Sequence, residues 1–167
     1  MYTIRKKVMM SEFEIRITPE EGMLKEFIHT FKGSLDLRLW MSLIQEELVE
    51  LRAEDYGTAA HLKELCDVMY VYNGMMLTTP KFAGDLISEE ELAKINEVID
   101  KARESITMYF NLYTSEVVGE AFTRVHKSNM SKLGRDGKPI FREDGKVLKG
   151  PDYKEPDLSD LIIAKKD

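Results

Sequence analysis

The chain has 167 residues, 43% of them apolar and 32% charged, and a formal net charge of −6. That length suits one domain plus appendages and that apolar share suits a real core, which excludes a disordered chain. The acidic balance argues against broad duplex nucleic-acid binding, which needs a basic face.

Cys66 is the only cysteine, so there is no intrachain disulfide and no thiolate cluster for zinc, as expected in a reducing cytoplasm. No apolar run is long enough for a signal peptide or a membrane span, so the reading is a cytoplasmic protein with no membrane partner.

In chain order, residues 1–17 read as an N-terminal arm in which Phe13, Ile15 and Ile17 alternate like a short strand. Thr18, Pro19 and Glu21 form a helix-start signal, predicting a first helix from Pro19 to about Phe31 before Gly33 breaks it. Ser34 is the expected cap of a second helix reaching Asp55, with Gly57 at its C′ position. Thr58 is placed to cap a third helix that runs to about Thr78, ahead of Pro80.

Ser88 to Glu91 is a capping box opening a fourth helix that reaches at least Arg103. From Ser105 to Leu133 the pattern stays helical, as one long helix or as two broken within Asn111–Glu116. Gly134 closes the helical part. Residues 134–167 form an irregular Gly/Pro-rich extension, in which Ile140–Arg142 and Val147–Lys149 read as a small hairpin around Asp144-Gly145. The expected fold is all-α: an antiparallel helical bundle over 18–133.

Steps of about 100° per residue give the second helix an apolar arc of Leu35, Leu39, Trp40, Leu43, Ile44 and Leu51. Glu46, Glu47 and Glu50 fall inside that arc, while Arg38, Gln45 and Arg52 lie opposite. On the third helix Glu64 and Asp67 interleave with Ala60, Val68, Val71 and Met75 on the inward side, and Lys63, Tyr70 and Asn73 point elsewhere. A Glu-rich helix ordinarily presents a solvated charged face. Five carboxylates turned inward on neighbouring helices would instead repel one another and lose hydration. A hard divalent cation resolves that conflict: Mg²⁺, or Mn²⁺, takes oxygen ligands and leaves room for substrate phosphates. Di-iron bundles need Glu-x-x-His pairs, which this chain lacks at these places; His61 precedes Glu64, and His29 and His126 lie far off in sequence.

The pattern Glu46-Glu47-x-x-Glu50 followed by Glu64-x-x-Asp67 resembles the all-α NTP pyrophosphohydrolases of the MazG-like superfamily. The stretch "LKEFIHTFKG" looks like the short helix preceding that motif in dimeric dUTPase-type members. "EAFTRVHKSNMSKL" with "DGKPIFREDGKVLKGPDY" resembles the C-terminal segment of a phosphoribosyl-ATP pyrophosphohydrolase-like subgroup. The likeness covers most of residues 22–158 and has no clear counterpart for residues 81–115.

The resemblance implies hydrolysis of a nucleoside triphosphate between the α and β phosphates, giving monophosphate and pyrophosphate. Glu47, Glu50, Glu64 and Asp67 carry over as metal ligands, and Glu46 as a further ligand or as the catalytic base, with the roles of Glu46 and Glu47 exchangeable. Asn129 and Lys132, and then Arg124 and Lys127, are candidates to contact phosphate or base, although basic residues near a helix end also complement its dipole. His126 reads as packing or a surface contact; Trp40, Tyr70 and Tyr72 are core aromatics that could also stack on a base.

The expected substrate is dUTP- or dCTP-like, and the expected assembly a homodimer or a dimer of dimers. The rivals are a phosphoribosyl-ATP pyrophosphohydrolase and a non-catalytic helical interaction module.

Overall fold

The computed structural model describes residues 18–33, 36–78 and 88–163, and the regular structure within them is helical. The expected arm at 1–17, the Ser34 cap and Pro80 lie outside the described residues. The helices are α1 (Thr18–Thr30), α2 (Leu37–Ala53), α3 (Ala59–Thr78), α4 (Glu89–Phe110), α5 (Ser115–Met130) and the short α6 (Ser159–Ile163).

Local signals explain most of the ends. Asp36 caps α2 by accepting the Arg38 N–H at 2.9 Å. It also ends at Ala53, before Asp55, and Gly57 lies beyond the helix end in a left-handed turn at φ 78°. After α1 the left-handed residue is Lys32, at φ 50°, one place before the expected breaker Gly33. Thr58 receives the His61 N–H at 3.1 Å and starts α3. Ser88 and Glu91 complete a reciprocal capping box at the start of α4.

The stretch after Ser105 is two helices. α4 stops at Phe110, and Thr114 caps α5 by accepting the Val117 N–H at 3.3 Å. Between them Tyr113 turns inward and meets His61 Nδ1 through its hydroxyl at 2.8 Å.

α3 is the hub, touching α1, α2, α4, α5 and α6. Leu62, Leu65, Cys66 and Val68 are fully enclosed, and Tyr70 and Tyr72 are both buried although they leave the helix in different directions. This corrects the expectation that Tyr70 points away from the core. Ala60, expected inward, is exposed at the first turn. A helix with neighbours on several sides has no single buried arc, so a one-face reading misplaces some of its residues.

The C-terminal segment joins the same core. Leu158 is 2% exposed, and Leu161 and Ile162 pack beside it. Ser128 Oγ donates to the Lys154 carbonyl at 2.7 Å, and the Lys154 N–H returns to Ser131 Oγ at 2.9 Å. Where a hairpin was expected there is one antiparallel bridge, Phe141 to Val147, with no strand among the described residues.

Candidate metal centre

Glu47 precedes the buried Leu48 and follows Ile44 by three places, so its side chain leaves α2 at the seam with α3. Glu64 stands just before Leu65 and Cys66, both fully buried, and is itself only 8% exposed. Asp67 follows one turn later on the same face. One carboxylate oxygen from each of Glu47, Glu64 and Asp67 lies within 4.8 Å of the others.

The electrostatics of this trio are those of a site short of positive charge. Burial, reinforced by Asp67, Glu50 and Glu64, pushes the Glu47 carboxyl up to about 8. Burial also raises Glu64, against the pull of Lys63. Lys63 donates to Glu64 at 2.7 Å and to Asp67 at 2.8 Å. Burial works against its ammonium, yet Asp67 and Glu64 outweigh that and hold it above the usual lysine range. Lys63 pairs with two of the three acids, and among the described residues the buried Oε2 of Glu64 has no hydrogen-bond partner. Three clustered carboxylates, one of them with an unpartnered buried oxygen, are the donor set that a hard divalent cation takes.

The other two expected acids stand apart from the trio. Glu50 is exposed, close enough to raise both Glu47 and Glu64 by charge. Glu46 is turned to the C-terminal segment: Oε1 accepts from Arg142 at 3.1 Å and Oε2 from Lys146. Those two partners, Lys146 foremost, hold its carboxyl below the usual range despite partial burial.

A cavity of about 90 Å³ adjoins the trio. Its polar lining is Glu47, Asp67, Asn129, Lys132 and Lys146; its apolar lining includes Phe27, Trp40, Leu43, Tyr70, Val71 and Phe141. Asn129 is 6% exposed on the last turn of α5. Burial lowers the Lys132 pKa, which Asp67 and Glu47 partly offset. Gly74 lets the Trp40 ring lie against α3, since a Cβ there would stand 2.6 Å from the indole.

Asn129 and Lys132 therefore meet the acids, whereas Arg124 and Lys127 do not line the cavity. Arg124 is held by Glu120 at 2.8 Å and by Asp160 at 2.5 and 2.9 Å, an arrangement that ties α5 to α6. Lys127 is exposed. His126 is buried, between the Tyr70 hydroxyl at 3.0 Å and Glu26 at 3.2 Å.

Sequence reasoning missed Lys63, Arg142 and Lys146. Lys63 carried a usable signal, being four residues before Asp67 and adjacent to Glu64. Arg142 and Lys146 reach Glu46 across 96 and 100 residues, and no local pattern announces that contact.

No protein-family model, curated protein or solved structure matches the chain. Among the described residues no helix is long and apolar enough to cross a membrane.

Proposed function

We propose that the chain is a Mg²⁺-dependent nucleoside triphosphate pyrophosphohydrolase that converts a (deoxy)nucleoside triphosphate and water to the monophosphate and pyrophosphate. The observation that carries this reading is the cluster of Glu47, Glu64 and Asp67, in which Glu64 keeps an unpartnered buried oxygen, beside a cavity with two lysines and an aromatic wall. The resemblance to MazG-like enzymes supports it, as does the pairing of α2 with α3, which suits an antiparallel bundle.

In this reading Glu47, Glu64 and Asp67 would hold the cation, with Glu50 at the solvent edge as a further ligand. When bound, the cation supplies Lewis-acid polarisation of phosphoryl oxygen and a source of activated water. The chain's own residues do the rest. Lys132 offers a charge to the polyphosphate, and Asn129 offers an amide to phosphate or base. Trp40, Tyr70 and Phe27 exclude water around the base, whose dUTP- or dCTP-like identity belongs to this proposal. Glu46 serves as ligand or base only once a carboxylate oxygen is released from its present partners.

A homodimer or dimer of dimers is part of the proposal. An open groove of about 900 Å³ between α2 and α4, lined by Leu37, Met41, Val49 and Ile95 among others, is the surface for a second copy. Light scattering that gives a monomer at micromolar concentration removes that part.

The reaction is tested by hydrolysis in ¹⁸O-labelled water with a panel of dUTP, dCTP, modified nucleotides and phosphoribosyl-ATP. Pyrophosphate release with label in the monophosphate is expected. Label in orthophosphate, with a diphosphate product, would overturn the assigned bond. No Mg²⁺-dependent turnover of any member would favour the interaction module.

A further inference from the structure

Lys146 lines the same cavity as Lys132, yet its ammonium is spent on Glu46, an acid outside the trio. The backbone that carries it is fixed. Asp144 accepts the Lys146 N–H at 3.1 Å and is clasped by Arg142 at 2.6 and 2.9 Å. Gly145, at φ 93°, lets the turn press on Leu39, where a Cβ would stand 3.3 Å from the Leu39 methyl. A long flexible stem thus rises from an anchored turn, and its charge can move without the turn moving.

The partners of Glu46 are not equivalent. Arg142 is committed to Asp144 and faces Glu46 from the exposed side, while Lys146 stands at the cavity. If Lys146 leaves, Glu46 keeps a cation. If an incoming polyphosphate must rely on Lys132 alone, most of its charge at this end goes unmatched, because Lys63 is already held by Glu64 and Asp67. A phosphate oxygen competes well with a carboxylate that is one-third exposed and screened by water.

We infer that Lys146 is a phosphate-binding residue of this site, parked on Glu46 until a polyphosphate chain takes it over. The inference rests on the triphosphate reading above and adds a residue and an exchange to it. The transfer of Lys146 also frees Glu46 Oε2 at the moment the substrate arrives, which couples occupancy of the cavity to the availability of that acid.

The test uses two substitutions that break the same ion pair. The intact chain is titrated calorimetrically with inorganic tripolyphosphate in Mg²⁺, for wild type, Lys146→Met, Lys146→Arg and Glu46→Gln, each first checked for a cooperative melt. Lys146→Met should weaken binding by about tenfold or more, and Lys146→Arg should recover most of it. Glu46→Gln should bind more tightly than wild type, because the competing acid is gone. A merely structural clasp predicts that Glu46→Gln and Lys146→Met weaken binding alike. That result overturns the inference, as does a wild type that does not bind tripolyphosphate.

Should Lys146→Met fail to fold, Glu46→Gln alone decides: weaker binding sinks the inference and tighter binding sustains it. The hydrolase reading fails separately, by the absence of pyrophosphate release from every nucleotide in wild type.

Discussion

The Trp40 ring lies so close to Gly74 that a Cβ at 74 would meet two indole carbons at 2.6 and 2.7 Å. Trp40 is 7% exposed, and it lines the cavity beside the acids. Gly74→Ala should therefore cost about 1–3 kcal/mol through overpacking, even though alanine is the better helix former. Urea unfolding measures it; a variant at least as stable as wild type would contradict the packing.

Glu47 makes the stability of the metal-free protein depend on pH. Its folded pKa, about 8, lies above the ordinary 4.5, so the folded chain keeps a proton that the unfolded chain has lost. Stability from this group is complete below about 4.5 and is lost as pH rises toward 8. In EDTA the melting temperature should fall over that window, and Glu47→Gln should flatten the fall. For the same reason Mg²⁺ binding at neutral pH should release protons, seen as a calorimetric enthalpy that varies with the buffer. Equal slopes for wild type and Glu47→Gln would remove Glu47 from the charge balance.

The acids should rank by burial. Asp67→Asn and Glu64→Gln take a ligand from the centre of the trio and should lower Mg²⁺ affinity by more than about 100-fold, with pyrophosphate release falling in step. Glu50→Gln, at an exposed edge, should cost only about tenfold. Titration of each variant with Mn²⁺, followed by paramagnetic resonance, gives the order directly. A Glu50→Gln loss as large as that of Asp67→Asn would place Glu50 at the centre instead.

Arg124 fastens α6 to α5. Arg124→Ala removes the bonds to Asp160 and to the Asp157 carbonyl, so amides of residues 158–163 should exchange faster with solvent. A raised KM without faster exchange would return Arg124 to the substrate.

Features set by neighbours in sequence were legible. The Ser88–Glu91 box and the Thr58 cap depend on side chains reaching a backbone N–H a turn away, so four residues specify them. The acid pair Glu64 and Asp67 is likewise a matter of helical spacing. The wheel could not separate Glu47 from Glu50, because residues three apart differ by only about 60° and burial is decided by how deeply α3 nests at each level. Nor could it place Tyr70, since α3 is surrounded. The Lys146–Glu46 contact lay beyond any local rule, for it depends on the path of the segment after Leu133.

That path also sets an order in time. A ribosome that has translated as far as Leu133 has already made Glu47, Glu64, Asp67, Asn129 and Lys132, but not the Phe141, Gly145, Lys146 and Val147 wall of the cavity. Gly150 must still slide beneath the Leu133 carbonyl, where a Cβ would stand 2.2 Å from the oxygen, and Leu158 must still find its slot in the core. The nascent protein thus owns its acids before it owns its roof, and the cavity wall is complete only when the segment up to Val147 has been translated.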